Sequence, residues 1–123
     1  MLTYLLAFRM ELLLHPEAEE EWSRLPATEY RAMANALAKL RELGDQLGFP
    51  HTSNVQGAEH IRELRPRGGR SRWRAFFRRI GDRIAVGAIG PEARVDPRGF
   101  TRSIQRAEVR LAEMEQQWKE EPQ

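Results

Sequence analysis

The stretch "ELRPRGGRSRWRAFFRRIGDRI", Glu63–Ile84, carries eight arginines and two acids, and Trp73, Phe76 and Phe77 stand among them. Its middle predicts a β-hairpin. Ser71 to Ile80 reads as a strand, Gly81-Asp82 as a tight turn and Arg83 to Gly90 as the returning strand. Upstream, Ile61 to Pro66 reads as a further strand, joined through a turn at Arg67-Gly68-Gly69-Arg70. Side chains alternate along a strand, so Trp73, Ala75 and Phe77 share one face and Arg72, Arg74, Phe76 and Arg78 the other. The first set suits burial against helices. The second is expected to form an open arginine row with an aromatic ring in it.

Working outward, Phe8 to Leu14 alternates apolar and polar residues with a period of two and predicts an N-terminal strand. His15-Pro16 followed by Glu17, Glu19 and Glu20 is a helix start, because proline suits the first helical position and acids suit the positive end of the dipole. Pro26 ends that helix. A second is expected from Thr28 as N-cap, with the stripe Tyr30, Met33, Leu37, Leu40 and Leu47, stopping at Gly44 or Gly48. Phe49 to Ala58 reads as a loop and Pro91 to Arg98 as another. Phe100, Ile104, Ala107, Leu111, Met114 and Trp118 then recur at helical spacing over about five turns. The expected fold is α+β: a small antiparallel or mixed sheet with two N-terminal helices and one C-terminal helix packed on it. The whole of 1–123 is one domain, with 1–9 an extension if Met10 is the start, and with 118–123 a frayed tail.

Composition narrows the function. The 123 residues include no cysteine, which removes disulfides, zinc–thiolate sites and thiol nucleophiles and fits a cytoplasmic location. The first apolar run is broken by Arg9 and Glu11, so neither a membrane span nor a secretory signal is expected. The net charge is only +2. Its distribution is uneven: nine arginines fall between Glu59 and Arg83, whereas Glu17 to Asp45 and everything after Ala107 are net acidic. A cationic segment of this kind points to an anionic partner. Arginine forks bind phosphate at two points, and an aromatic beside them offers a stacking surface for an unpaired base. A solvated face, or salt bridges to the acidic helices, would use the same residues. No spacing of His, Asp and Glu suggests a metal site, and no Walker-type phosphate loop is present. His60 borders the basic segment; His15 is accounted for by the helix start and His51 by the loop.

The element order and the residues Glu63-Leu64-Arg65, Gly68-Gly69, Trp73-Arg74 and Gly81-Asp82 resemble the RelE/ParE superfamily of bacterial type II toxins, especially its HigB-like branch. The likeness spans about residues 10–116, with its specific part in Glu63–Ile84. It implies a ribosome-dependent mRNA endonuclease that needs neither metal nor cofactor, in which a ribose 2′-hydroxyl attacks the adjacent phosphate and cations stabilise the added charge. On that resemblance Arg74, Arg65 and Arg67 are the catalytic residues, and Arg70, Arg72, Phe76, Arg78, Arg94 and Arg98 bind RNA. The chain departs from the pattern after the last strand. Gly87 stands for the family's histidine, Pro91-Glu92 for paired lysines, and Phe100 for a tyrosine, with Arg94 and Arg98 supplying charge from other positions. Those departures leave open a relative that binds a protein target, as the gyrase-poisoning branch does, or one that binds RNA without cutting it. The implied partners are a cognate antitoxin, whose acidic segment would lie over Arg65 to Arg78, and mRNA on the ribosome. A homodimer and a toxin–antitoxin hetero-oligomer both remain open.

Overall fold

A computed structural model of the chain describes residues 10–122. Strand β1 (Glu11–Leu14) leads into α1 (Pro16–Ser23) and α2 (Ala27–Leu43). Then come the short strands β2 (Thr52–Asn54) and β3 (Arg62–Leu64), the long hairpin β4 (Trp73–Ile80) and β5 (Arg83–Pro91), and finally α3 (Pro97–Glu120). The sheet order is β1-β5-β4-β3-β2. Only β1 runs parallel to its neighbour β5; every other pairing is antiparallel. The mixed α+β sheet with two N-terminal helices and one C-terminal helix is the architecture the sequence predicts.

Local chemistry sets the boundaries. At the start of α1 the His15 ring accepts the Glu17 amide through Nδ1, and Pro16 fills the first turn. α2 follows Pro26 directly, so Thr28 lies inside its first turn rather than capping it. Gly44 stops α2 at φ 53°, a backbone conformation that glycine adopts at little cost. Asp96 caps α3 by accepting the Gly99 amide, so this helix starts at Pro97, inside the segment expected to be loop. β2 also arises within an expected loop. Its three residues exist because β3 offers a free edge, and periodicity is not legible over so short a run. The part of the predicted first strand at Phe8 and Arg9, like the 1–9 extension, lies outside the described residues.

Helices cover both faces of the sheet. On one side α1 and α2 bury Ala18, Met33, Leu37 and Leu40 against Leu64, Ala75, Phe77, Ile84 and Val86. On the other α3 lays Ile104, Ala107 and Leu111 over Phe76, Ile80, Ala85 and Ala88. A bulge interrupts the hairpin: Phe76 pairs with Ala88 and Phe77 with Val86, which leaves Gly87 without a partner. α3 crosses here so closely that a β-carbon on Gly87 would strike the Ala107 main chain and the Leu111 side chain. Arg110 of α3 fills the crossing by donating to the Gly87 carbonyl and to Glu21 of α1. Within the tail expected to fray, α3 runs on to Glu120. Trp118 lies against Gly81 of the hairpin turn, and Arg83 pairs with Glu121.

Candidate phosphate-binding groove

The open arginine row does not form. α3 covers the face on which it would lie, so Phe76 is fully buried and meets Phe100 edge-on at 5.5 Å. Arg74 is only 3% exposed. Its guanidinium donates to the carbonyls of Ser71 at 2.7 Å, Trp73 at 3.0 Å and Gly69 at 3.3 Å. Glu63 and Glu92 stand 3.8 and 3.9 Å from it. Burial pulls the Arg74 guanidinium below the usual arginine range, the Glu63 carboxylate opposes that, and the charge on Arg65 adds to it. The placement of Phe76 as a stacking ring and Arg74 as an open phosphate contact is therefore corrected by the second helix layer. Arg74 is a brace that ties the Gly69–Trp73 chain to the sheet.

The turn it braces carries the cations that do reach solvent. Pro66–Gly69 forms a 3-10 turn in which Arg67, at φ 57°, and Gly68, at φ 63°, are left-handed. Gly69 follows at φ 94°, and the Arg65 guanidinium passes where its β-carbon would be. Left-handed backbone at a non-glycine residue is uncommon and costs of order 1–3 kcal/mol. Here Glu29 of α2 offsets it by accepting from Arg67 at 2.8 Å and from the Ser71 hydroxyl at 2.8 Å. Arg65 is held by the Pro50 carbonyl at 3.0 Å and by Glu63 at 3.3 Å.

Between this turn and α2 lies a concavity of about 540 Å³. Arg65, Arg67 and Arg70 line it from the turn, Arg31 and Lys39 from α2, and His51 from the loop before β2; no carboxylate lines it. Glu29 and Glu63 offset two of these five cations. Three positive charges remain, and Arg31, Lys39 and Arg70 have no carboxylate partner among the described residues. The other expected RNA contacts are dispersed. Arg72 lines a cavity beside Trp73 and Pro91, and Arg78 lies 3.8 Å from Glu115 in a third concavity that also holds His60. Arg94 is exposed on the β5–α3 connection and Arg98 in the first turn of α3. Glu92 turns toward Arg74 and also accepts the Val95 amide at 2.7 Å.

Sequence reading missed Arg31, Lys39 and His51. Arg31 and Lys39 sit eight positions apart on the helix, between residues of the apolar stripe, and nothing in α2 itself says what they face. His51 was hidden by its loop.

Residues 20–88, more than half the chain, match the family model described as Phage derived protein Gp49-like (DUF891). No curated protein matches the sequence. Among solved structures the backbone is similar to E. coli toxin RelE, in an arginine-to-alanine double mutant in the free state. The TM-score is 0.57 at 16% identity, over 80% of this chain and 97% of that one, which is a likeness of fold.

Proposed function

Because the chain belongs to the phage-derived Gp49-like family within the RelE/ParE superfamily, we propose that it is the toxin of a type II toxin–antitoxin pair and cuts mRNA on the ribosome without a metal. The groove between α2 and the Arg65–Arg70 turn is the reaction site. One observation carries this reading: five cations from two separate elements converge on one concavity whose lining holds no carboxylate.

The chemistry needs little else. The 2′-hydroxyl of a bound ribose attacks the adjacent phosphorus, the bond to the 5′-oxygen breaks, and a cyclic phosphate remains. Arg65, Arg67 and Arg70 stabilise the charge that develops on the phosphoryl oxygens, and each such contact is worth ~3 kcal/mol. Arg31 and Lys39 hold the flanking phosphates. His51 is the lining residue able to take the 2′-hydroxyl proton, while the departing 5′-oxygen is protonated from solvent. Arg74 acts through the turn that it braces. The cognate antitoxin would silence the protein by laying an acidic segment in the same groove.

Induction in cells tests the reading. Growth should stop, and primer extension should map cuts within translated codons. Replacing Arg65, Arg67 and Arg70 together by Gln should abolish both effects while the protein stays folded. Filamentation and DNA damage with intact mRNA would instead identify a protein target. A second reading, RNA binding without cleavage, is favoured by the way Glu92 is turned onto Arg74. Protection of RNA without cuts would select it.

A further inference from the structure

Phe49 is the most exposed large apolar side chain among the described residues, at 77%. Packing does not explain it, because a ring so open to water gains little from the hydrophobic effect. It is also held in place. Phe49 follows Gly48 in a turn closed by the His51 and Thr52 amides, which donate to the Gly48 carbonyl at 2.9 and 3.2 Å. The Arg65 guanidinium lies 5.2 Å from the centre of the Phe49 ring, and Arg65 is itself fixed by the carbonyl of Pro50, the next residue. One side of the ring is thus backed by a cation that also lines the groove.

We propose that Phe49 and Arg65 form a stacking platform for one unpaired RNA base at the rim of the phosphate groove; this rests on the RNA reading above. The platform takes the role that Phe76 cannot fill. A nucleobase stacks on either an aromatic face or a guanidinium plane, and here the two adjoin. The neighbouring chemistry selects nucleic acid over an apolar peptide, since the groove beside the ring offers cations for the phosphates on either side of the stacked base. Because the guanidinium is already held by Pro50 and Glu63 and the backbone at Phe49 by the turn at Gly48, less freedom is lost on binding.

The test uses the full chain and a short unstructured single-stranded RNA, intact or with a single abasic ribose moved along it, read by fluorescence anisotropy. Phe49→Ala should weaken binding of the intact RNA by about 5- to 150-fold, the usual contribution of one stacked base. Phe49→Trp should retain it. In the wild-type chain one abasic position should weaken binding by a similar factor, and Phe49→Ala should erase that position's effect. The slope of affinity against salt should not change in Phe49→Ala, because no charge is lost, whereas Arg70→Gln should make it shallower. Unchanged affinity in Phe49→Ala, or equal losses for intact and abasic RNA, would overturn the platform while leaving the groove in place. Wild-type protein that shows no salt-dependent RNA binding, with Arg70→Gln indistinguishable from it, would overturn the groove and the platform with it.

Discussion

A guanidinium enclosed by three main-chain carbonyls, with two carboxylates just out of hydrogen-bonding range, is difficult to replace, and Arg74 is in that position. Arg74→Ala would leave those carbonyls without their donor and Glu63 without a nearby counter-charge, at a cost of about 3–5 kcal/mol. Arg74→Lys should recover only part, since an ammonium cannot span the same fork. A urea midpoint for each variant measures this, and an Arg74→Ala protein as stable as the parent would show that the brace is dispensable. Gly69 makes the complementary case in the same turn. Its φ of 94° and the Arg65 guanidinium lying over it make Gly69→Ala costly by ~1–3 kcal/mol. The same change should weaken RNA binding, because Arg65 must move. Intact affinity in a destabilised Gly69→Ala protein would separate the strain from the site.

α3 is the element that decides which residues of the hairpin meet solvent. Its contact at Gly87 admits no side chain, so Gly87→Val should lift the helix from β5 and cost several times the ~1–3 kcal/mol of ordinary overpacking. Phe76→Ala should cost about 3–5 kcal/mol from beneath the same helix. Thermal melts report both, and an unshifted midpoint for either would place α3 only loosely on the sheet. The last turn of α3 responds to acid. Hydrogen bonding to Arg83 holds the Glu121 carboxyl below the usual carboxylate range, and reciprocally raises the Arg83 guanidinium. A carboxyl lowered by folding contributes stability above its unfolded value and loses it as pH falls through the folded one. Both groups lie at the surface, so the contribution is small and screened by salt. Acid titration of tryptophan fluorescence should show Trp118 loosening at lower pH than in Glu121→Gln, where the pairing is already gone.

At the scale of the whole molecule, the net charge of +2 conceals a separation. Much of the arginine charge is consumed internally: Arg74 by carbonyls, Arg83 by Glu121, Arg110 by Glu17 and Glu21, Arg67 by Glu29. What reaches a common solvent-filled concavity is three uncompensated charges between α2 and the turn. Single-stranded RNA should therefore bind with a logarithmic salt slope of about −2, at roughly −0.7 for each phosphate neutralised. A slope near zero would remove the electrostatic basis of the groove. Among the described residues no helix is long and apolar enough to cross a membrane.

Residue order alone determined the hairpin, the helix stripes and the cationic character of Glu63–Ile84, because periodicity, glycine turns and proline starts act over a few neighbouring residues. It also determined that Trp73, Ala75 and Phe77 face a helical layer. The fate of the alternate face was decided by α3, whose first described contact with the hairpin is separated from it by the β5–α3 loop. A strand with arginines and a phenylalanine on one face reads the same whether water or a helix lies above it. Likewise Arg31, Lys39, His51 and Phe49 come to the turn only through the packing of α2 and the β2 loop against β3. Proximity across the fold, unlike periodicity along the chain, is set by how the layers close, and that is why the groove was visible only once they had.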